Sequence, residues 1–439
     1  MTLEVALELL WHWTDAVVQL LLQPFYYISI LFMMLVYRRQ VLLERRLFSV
    51  RLHSWGLQTW RTLIGGLLAG ISVSVVIAFL GISLSQQAVW CIWIVAIILL
   101  LFRVRYLCFA YSIGILGIIQ FVIGFFPDWN PDGIAGTAAE TVRGLDIPAL
   151  LALVAVLHLA EALLVKLQGA GFANPVFMES KRGKLVGGYQ MQAFWPIPLF
   201  LLIPAPSAGA LLPWTPLLGG DGWSSGFSMA ALPVVIGFSE MTQSMLPQVK
   251  ADRTFKRLLV YSFALLAISL LASWWKPLMI AAALVSILVH EGLLWYSRLE
   301  EQQSSPMFVH PQQGLKVLAV IPGSPAESLG IQAGEAIVKI NGISIRTKEQ
   351  MHAALRKNPA FCKLEVRNLQ GESKFLQRAI YAGEHHQLGA ILAPDPDVGV
   401  ALVMKPVSIF QLIAMKVQSK NKTNEAQLGK PRDGDAAEM

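Results

Sequence analysis

The chain is 439 residues long, 55% hydrophobic and only 14% charged, with a formal net charge of +7. An average soluble domain is roughly 25% charged, so this composition excludes an ordinary globular enzyme of this length. The basic excess does not call for nucleic acid, because most lysines and arginines flank apolar segments, where they act as topology signals. Cys91, Cys108 and Cys362 have neither CxxC nor metal-ligand spacing, so no disulfide framework, metal or cofactor is expected from them.

The first element is a helix before Pro24. Glu4, Glu8, His12, Asp15, Gln19 and Gln23 recur every three or four positions and form one narrow polar stripe on an otherwise apolar surface. That stripe either faces a helical bundle or lies in the membrane interface. Apolar runs long enough to cross a bilayer, about 20 residues each, then recur as far as Tyr296. They read as 16–37, 62–82, 88–102, 106–126, 148–166, 194–212, 227–246, 258–273 and 277–296. The runs 88–102 and 258–273 are short for a full crossing, so the expectation is eight to nine spans.

After the first span come Arg38, Arg39, Arg45, Arg46, Arg51 and Arg61, opposed only by Glu44. The positive-inside rule makes this loop cytoplasmic and puts the N-terminus outside, or inside if the first helix does not cross. The same assignment places Arg103 and Arg105, Lys181, Arg182 and Lys184, and Lys250, Arg253, Lys256 and Arg257 inside. The acidic loop with Asp128, Asp132, Glu140 and Asp146 falls outside.

Within the spans, Glu161, Glu240 and Glu291 fall at similar depth, with His158 three residues before the first and His290 beside the last. Ionisable groups at membrane depth face a bundle interior or a cavity. One reading is a polar cluster that binds a proton, an ion or a metal; the other is a set of hydrogen-bonded or protonated packing groups. A zinc protease would need His-Glu-x-x-His on one helix, and His290-Glu291 is followed by Leu294 at the required position. Gly222-Trp223-Ser224-Ser225-Gly226 spells G-x-S-x-G, but it sits in a glycine-rich loop with no histidine in reach, so no catalytic residue is assigned.

Past a linker at 298–312 the pattern changes to strand alternation and turns, marking a small α/β domain over 313–395. Leu315, Val317, Ala319 and Ile321 alternate with Lys316, Leu318 and Val320. Pro322-Gly323-Ser324-Pro325 opens a short helix that Gly330 closes, Asn341-Gly342 marks a tight hairpin, and Thr347 caps a helix through Lys357. Val398–Met415 is apolar again, and Lys416–Met439 is polar and reads as disordered, so 396–439 is a separate tail.

The ordered run Gly314-Leu315, Gly323-Ser324-Pro325-Ala326, Leu329-Gly330, Gly334-Glu335 and Ile340-Asn341-Gly342 resembles the bacterial PDZ domain, with Glu335 where an aspartate is usual. The resemblance implies peptide binding by strand addition, in a groove between Gly314–Val317 and Lys348–Lys357. Gln313, Gly314, Leu315, Lys316, Val317, Met351 and Leu355 would then contact the peptide. The whole layout, with Gly187-Gly188-Tyr189-Gln190-Met191-Gln192 leading into Trp195-Pro196-Ile197-Pro198-Leu199-Phe200, resembles the MinJ family of cell-division topology proteins.

The expected fold is therefore mostly α, a polytopic transmembrane bundle over 1–297 followed by a small α/β PDZ domain. The resemblance implies a non-enzymatic scaffold in the bacterial cell membrane, its PDZ domain cytoplasmic, bridging DivIVA-like and MinD-like proteins at septa and poles. Membrane lipid surrounds the bundle, and no nucleic acid is involved. Two other readings stay open: an ion- or proton-coupled transporter, favoured by the glutamates and by proline-interrupted spans such as 194–212, and a PDZ adaptor for a membrane protease or sensor.

Overall fold

A computed structural model describes residues 3–129, 131–204, 212, 214–218, 226–358, 360–379 and 388–395. The tail from 396 onward and most of the Gly222–Gly226 run lie outside these residues.

Helix α1 (Leu3–Leu22) stops at Gln23, and Pro24 opens α2 (Pro24–Phe48). Proline starts a helix readily but cannot continue one, so the expected span 16–37 is divided between two helices. Ala16 and Leu20 of α1 pack on Phe200 and Ala231, and Gln23 of the polar stripe donates to the Ala231 carbonyl at 2.9 Å. At the far end of α2, Glu44 is 1% exposed. It accepts the backbone N–H groups of Leu52 and His53 at 3.0 and 3.1 Å, folding the short connection at 49–54 back onto α2; of the expected arginine-rich loop only Arg51 lies outside a helix.

Among the described residues five helices are long and apolar enough to cross a membrane: α2, α3 (Trp55–Leu80), α7 (Ile147–Gln168), α8 (Pro247–Trp274) and α9 (Leu278–Gln303). Between them lie the shorter apolar helices α4 (Gln86–Phe102) and α5 (Phe109–Gly124), and α6 (Ile134–Arg143) forms within the acidic loop. α7 is the central post. About 78% of its apolar span is buried inside the protein, against 17–33% for the other four, as suits a helix that is apolar on every side.

The expected sixth and seventh spans, 194–212 and 227–246, are not helices. A hairpin of β1 (Ala173–Glu179) and β2 (Leu185–Pro204) is extended by β3 (Phe227–Thr242) into a three-stranded antiparallel sheet packed into the bundle. Lys181, Arg182 and Lys184 form the tip of the hairpin. Pro196 and Pro198 rule out a helix there, since each would remove a hydrogen bond and clash with the preceding turn. β2 is buried on both faces: Tyr189, Met191, Ala193, Trp195, Ile197, Leu199 and Leu201 are all 5% exposed or less, and Pro196, Pro198, Phe200 and Leu202 between and after them are buried too.

β1 covers only the first part of β2, up to Met191, so the rest has one free edge. In apolar surroundings unpaired backbone groups are expensive, and the sequence removes or caps them. Pro198 lies opposite Pro233, a pairing that places both ring nitrogens away from the β2–β3 ladder. On that outward edge Phe194 N–H donates to Tyr37 Oη at 3.2 Å, Pro196 and Pro198 have no N–H, and Phe200 N–H donates to Ser74 Oγ at 2.8 Å. The Pro196 and Pro198 carbonyls press on Gly66 and Gly70 of α3, where a Cβ would come within 2.3 and 2.4 Å of them. The Gly66-x-x-x-Gly70 spacing thus lets a helix backbone seal a strand edge.

The C-terminal domain is a sheet of order β8-β7-β5-β4-β9: β4 (Leu315–Val320), β5 (Ala336–Ile340), β7 (Phe361–Arg367), β8 (Ser373–Ala379) and β9 (Ala390–Leu392). β6 (Ile343–Ser344) hangs on β5. Asn341 and Gly342 take φ of 50° and 81° at the β5–β6 turn. α10 (Pro325–Ser328) ends at Gly330, with φ of 72°, and α11 (Lys348–Lys357) is capped by Thr347. Glu335 is buried and accepts the Gln332 N–H at 2.9 Å, with Lys374 3.5 Å from its other oxygen.

This domain is seated on the bundle. Phe308, 0% exposed, packs on Tyr189 at 5.3 Å between ring centroids, and its carbonyl accepts Gly187 N–H at 3.0 Å. Met307 N–H donates to Gln243 O at 2.8 Å, and Tyr189 Oη donates to the Leu318 carbonyl of β4. Leu318, Ala319 and Ile391 belong to the same apolar core as α7 and the bundle sheet.

Candidate functional site

Two places concentrate function-bearing groups. In the C-terminal domain the strand expected to receive a peptide, β4, is an inner strand. Leu315 and Lys316 pair with β5, while Val317, Ala319 and Val320 pair with β9. Lys316 N–H donates to His310 Nδ1 at 3.1 Å and its carbonyl accepts Ala393 N–H at 2.8 Å. Leu315, Val317, Met351 and Leu355 are at most 5% exposed within the domain core. Gln313 is exposed, and Gly314, with φ of 97°, sits against the Ile337 carbonyl. Strand addition requires a free edge, and β4 is paired on both sides.

Among the described residues, the outer edge of β9, a strand the sequence reading passed over, is unpaired. Gly389 O accepts Ile321 N–H and Ala393 N–H reaches Lys316 O, so residues 389 and 393 face β4. By strand alternation Ala390 and Leu392 turn their backbone groups outward. Leu388 and Leu392 share a core with Met351 and Leu355 of α11, and Asp395, just past β9, lies 3.5 Å from Lys348 at the start of α11. The edge of β9 and helix α11 therefore lie side by side. The signal was the run Leu388-Gly389-Ala390-Ile391-Leu392, an apolar–Gly–apolar strand, with Gly389 at φ 78°. Close by, burial pushes the His310 imidazole below its ordinary value, and Asp395, 3.2 Å away, partly opposes that.

The second place lies inside the bundle. His158 on α7 and His290 on α9 meet edge to face at 5.1 Å, and Glu161 Oε2 is 4.0 Å from His158 Nε2. Cys108, which precedes α5, joins them with Sγ 3.3 Å from His158 Nε2 and 4.0 Å from His290 Nε2. His158 Nδ1 donates to the Val154 carbonyl at 2.8 Å. Tyr111 Oη lies 3.1 Å from His290 Nδ1 and donates to Glu291 Oε2 at 2.7 Å, while Arg105 holds the other oxygen of Glu291 at 2.6 Å.

Glu240 belongs to a neighbouring network. It is on β3, not on a helical span, and lies within electrostatic range of Glu161. Lys250, 0% exposed, is 3.0 Å from Glu240, 3.3 Å from Glu301 and 2.8 Å from Ser297 Oγ. Glu301 also accepts from the N–H groups of Gln243 and Ser244, fixing the turn after β3. Lys250, read from sequence as a loop charge, is thus a buried ion-pair partner.

A family model for the PDZ domain matches residues 316–368. The cell division topological determinant MinJ of Bacillus subtilis (strain 168) is 30% identical over 358 residues, covering 80% of this chain and 87% of that protein. The chain belongs to the MinJ family. A probable cell division topological determinant MinJ of Lacticaseibacillus paracasei is 28% identical over 291 residues, 62% of this chain and 73% of that one, and one from Lacticaseibacillus casei (strain BD-II) matches equally. These alignments are longer than any PDZ domain, so the relationship to MinJ proteins includes the bundle. The MinJ assignment also makes protein partners the expected ligands of the C-terminal domain.

Proposed function

We propose that this protein is a membrane-anchored PDZ scaffold that helps place the division site, without chemistry of its own. The observation that carries the reading is the relationship to MinJ over 80% of the chain, joined to a C-terminal domain whose end strand β9 lies beside a helix with its outer edge unpaired among the described residues. A peptide laid along β9 would bond the outward backbone groups of Ala390 and Leu392 and lie against α11. Such grooves bind on the order of micromolar, about −8 kcal/mol. By family resemblance the partners are DivIVA-like and MinD-like division proteins, and the domain faces the cytoplasm. The transport reading loses one support, because the proline-bearing segment 194–204 is strand.

The decisive test is the position of a functional fluorescent fusion in dividing cells of the native host. Enrichment at septa and young poles that disappears without the host's DivIVA homologue is the expected result. An even membrane distribution would refute the scaffold reading. Ala390→Pro removes one outward N–H while leaving the β4 ladder intact, and is expected to abolish partner capture with the domain still folded.

A further inference from the structure

We propose that Cys108, His158 and His290, with Glu161 as the adjoining carboxylate, form a zinc site that ties α5, α7 and α9 together inside the bundle. This goes beyond the scaffold reading and does not depend on it.

Three observations converge. The thiol sulfur and the imidazole nitrogens, brought from three separate elements, all lie within 4.8 Å of one another. A tetrahedral zinc with Zn–S of about 2.3 Å and Zn–N of about 2.0 Å separates sulfur from nitrogen by about 3.6 Å. The two Sγ···Nε2 distances, 3.3 and 4.0 Å, bracket that value.

The histidines are also prepared as ligands. His158 donates Nδ1–H to the Val154 carbonyl, which leaves Nε2 as a bare lone pair facing Cys108. Tyr111 spends its own proton on Glu291, so its oxygen accepts Nδ1–H from His290, and again Nε2 is the bare nitrogen. Outer partners that fix the tautomer in this way are the usual second layer around a bound metal. Arg105 anchors the outermost carboxylate of the chain. If these imidazoles served packing alone, nothing would require both Nε2 atoms to converge on one thiol.

The charges point to a divalent ion of intermediate softness. One thiolate, two neutral imidazoles and one carboxylate suit Zn²⁺, and a thiolate with Glu161 would neutralise it, as an apolar bundle interior requires. In the apolar interior the empty site holds a thiol and a carboxylic acid, so binding breaks the Cys108 S–H and Glu161 O–H bonds, forms the Zn–S bond and releases two protons to solvent; no electron changes hands.

The test uses the full chain purified in detergent without chelator and equilibrated with stoichiometric zinc. Elemental analysis is expected to give one zinc per chain for the wild type, and at least a tenfold lower content for Cys108→Ser and His290→Gln. Cys91→Ser and Cys362→Ser should retain the metal. Because a ligand variant could lose zinc by misfolding, the folded wild type is also loaded with Co²⁺, where a thiolate-to-cobalt charge-transfer band is expected in the near ultraviolet. Absence of that band, or wild-type zinc content equal to that of Cys108→Ser, would overturn the assignment.

Discussion

Replacing Gly70 by alanine tests the claim that α3 seals the free edge of β2. The new methyl would sit 2.4 Å from the Pro198 carbonyl oxygen and 2.9 Å from its ring. Relief to an ordinary contact of about 3.4 Å moves helix and strand apart by about 1 Å. The Ser74–Phe200 bond, now 2.8 Å, would stretch toward about 3.8 Å, beyond hydrogen-bonding distance. Overpacking costs about 1–3 kcal/mol, an orphaned buried N–H about 1–3 kcal/mol more, and alanine's helix preference returns about 1 kcal/mol. The net loss is about 1–5 kcal/mol. Gly56, in the same helix with nothing within 4 Å of its would-be Cβ, is the internal control, and Gly56→Ala should be neutral or slightly stabilising. Unfolding in mixed micelles measures both variants. Equal midpoints for Gly70→Ala and Gly56→Ala would refute the sealed-edge argument.

Lys250→Met strands Glu240 and Glu301 without their buried cation and should cost about 3–5 kcal/mol; adding Glu240→Gln should recover part of it, and strict additivity in that double-mutant cycle would refute the pairing. The His310 imidazole, held below its ordinary 6.5 and accepting the Lys316 N–H on Nδ1, binds a proton more weakly folded than unfolded. Its contribution is therefore complete above 6.5 and is lost as pH falls below it toward the folded value; His310→Gln should flatten the pH dependence of hydrogen exchange in β4, and an unchanged profile would refute the role. Phe308→Ala opens a cavity at the seam between bundle and C-terminal domain and should cost about 3–5 kcal/mol, read as faster proteolysis near 304–312; wild-type cleavage rates would mean the two parts do not hold each other. Burial pushes the Cys362 thiol up to about 11, so it should resist maleimide at neutral pH until the domain is unfolded, and rapid labelling of native protein would contradict its core position.

The C-terminal domain was legible because its signals are local: the Asn341-Gly342 turn, the Gly330 stop and the Thr347 cap each act within a few residues. Its open edge was not, because β9 returns about seventy residues after β4 to pair beside it, and no local pattern says which side of a strand is taken. Cys108 was unreadable for the same reason, its histidines lying 50 and 182 residues away along the chain.

The bundle sheet failed differently. Hydropathy saturates when both faces of a strand and its edge are apolar, so β2 and β3 pass a length test designed for helices. What separates the two conformations is where backbone hydrogen bonds go. A helix satisfies its own groups, whereas β2 needs β1, β3, α2 and α3. Pro196 and Pro198 carry that information, since two prolines one residue apart destroy a helix but cost an edge strand nothing when their nitrogens point off the ladder. The matching evidence lies over a hundred residues earlier, in Gly66, Gly70 and Ser74, spaced four apart along one helix face. A glycine stripe in an apolar helix usually advertises another helix; here its partner is a proline-edged strand, and reading either half alone misassigns both.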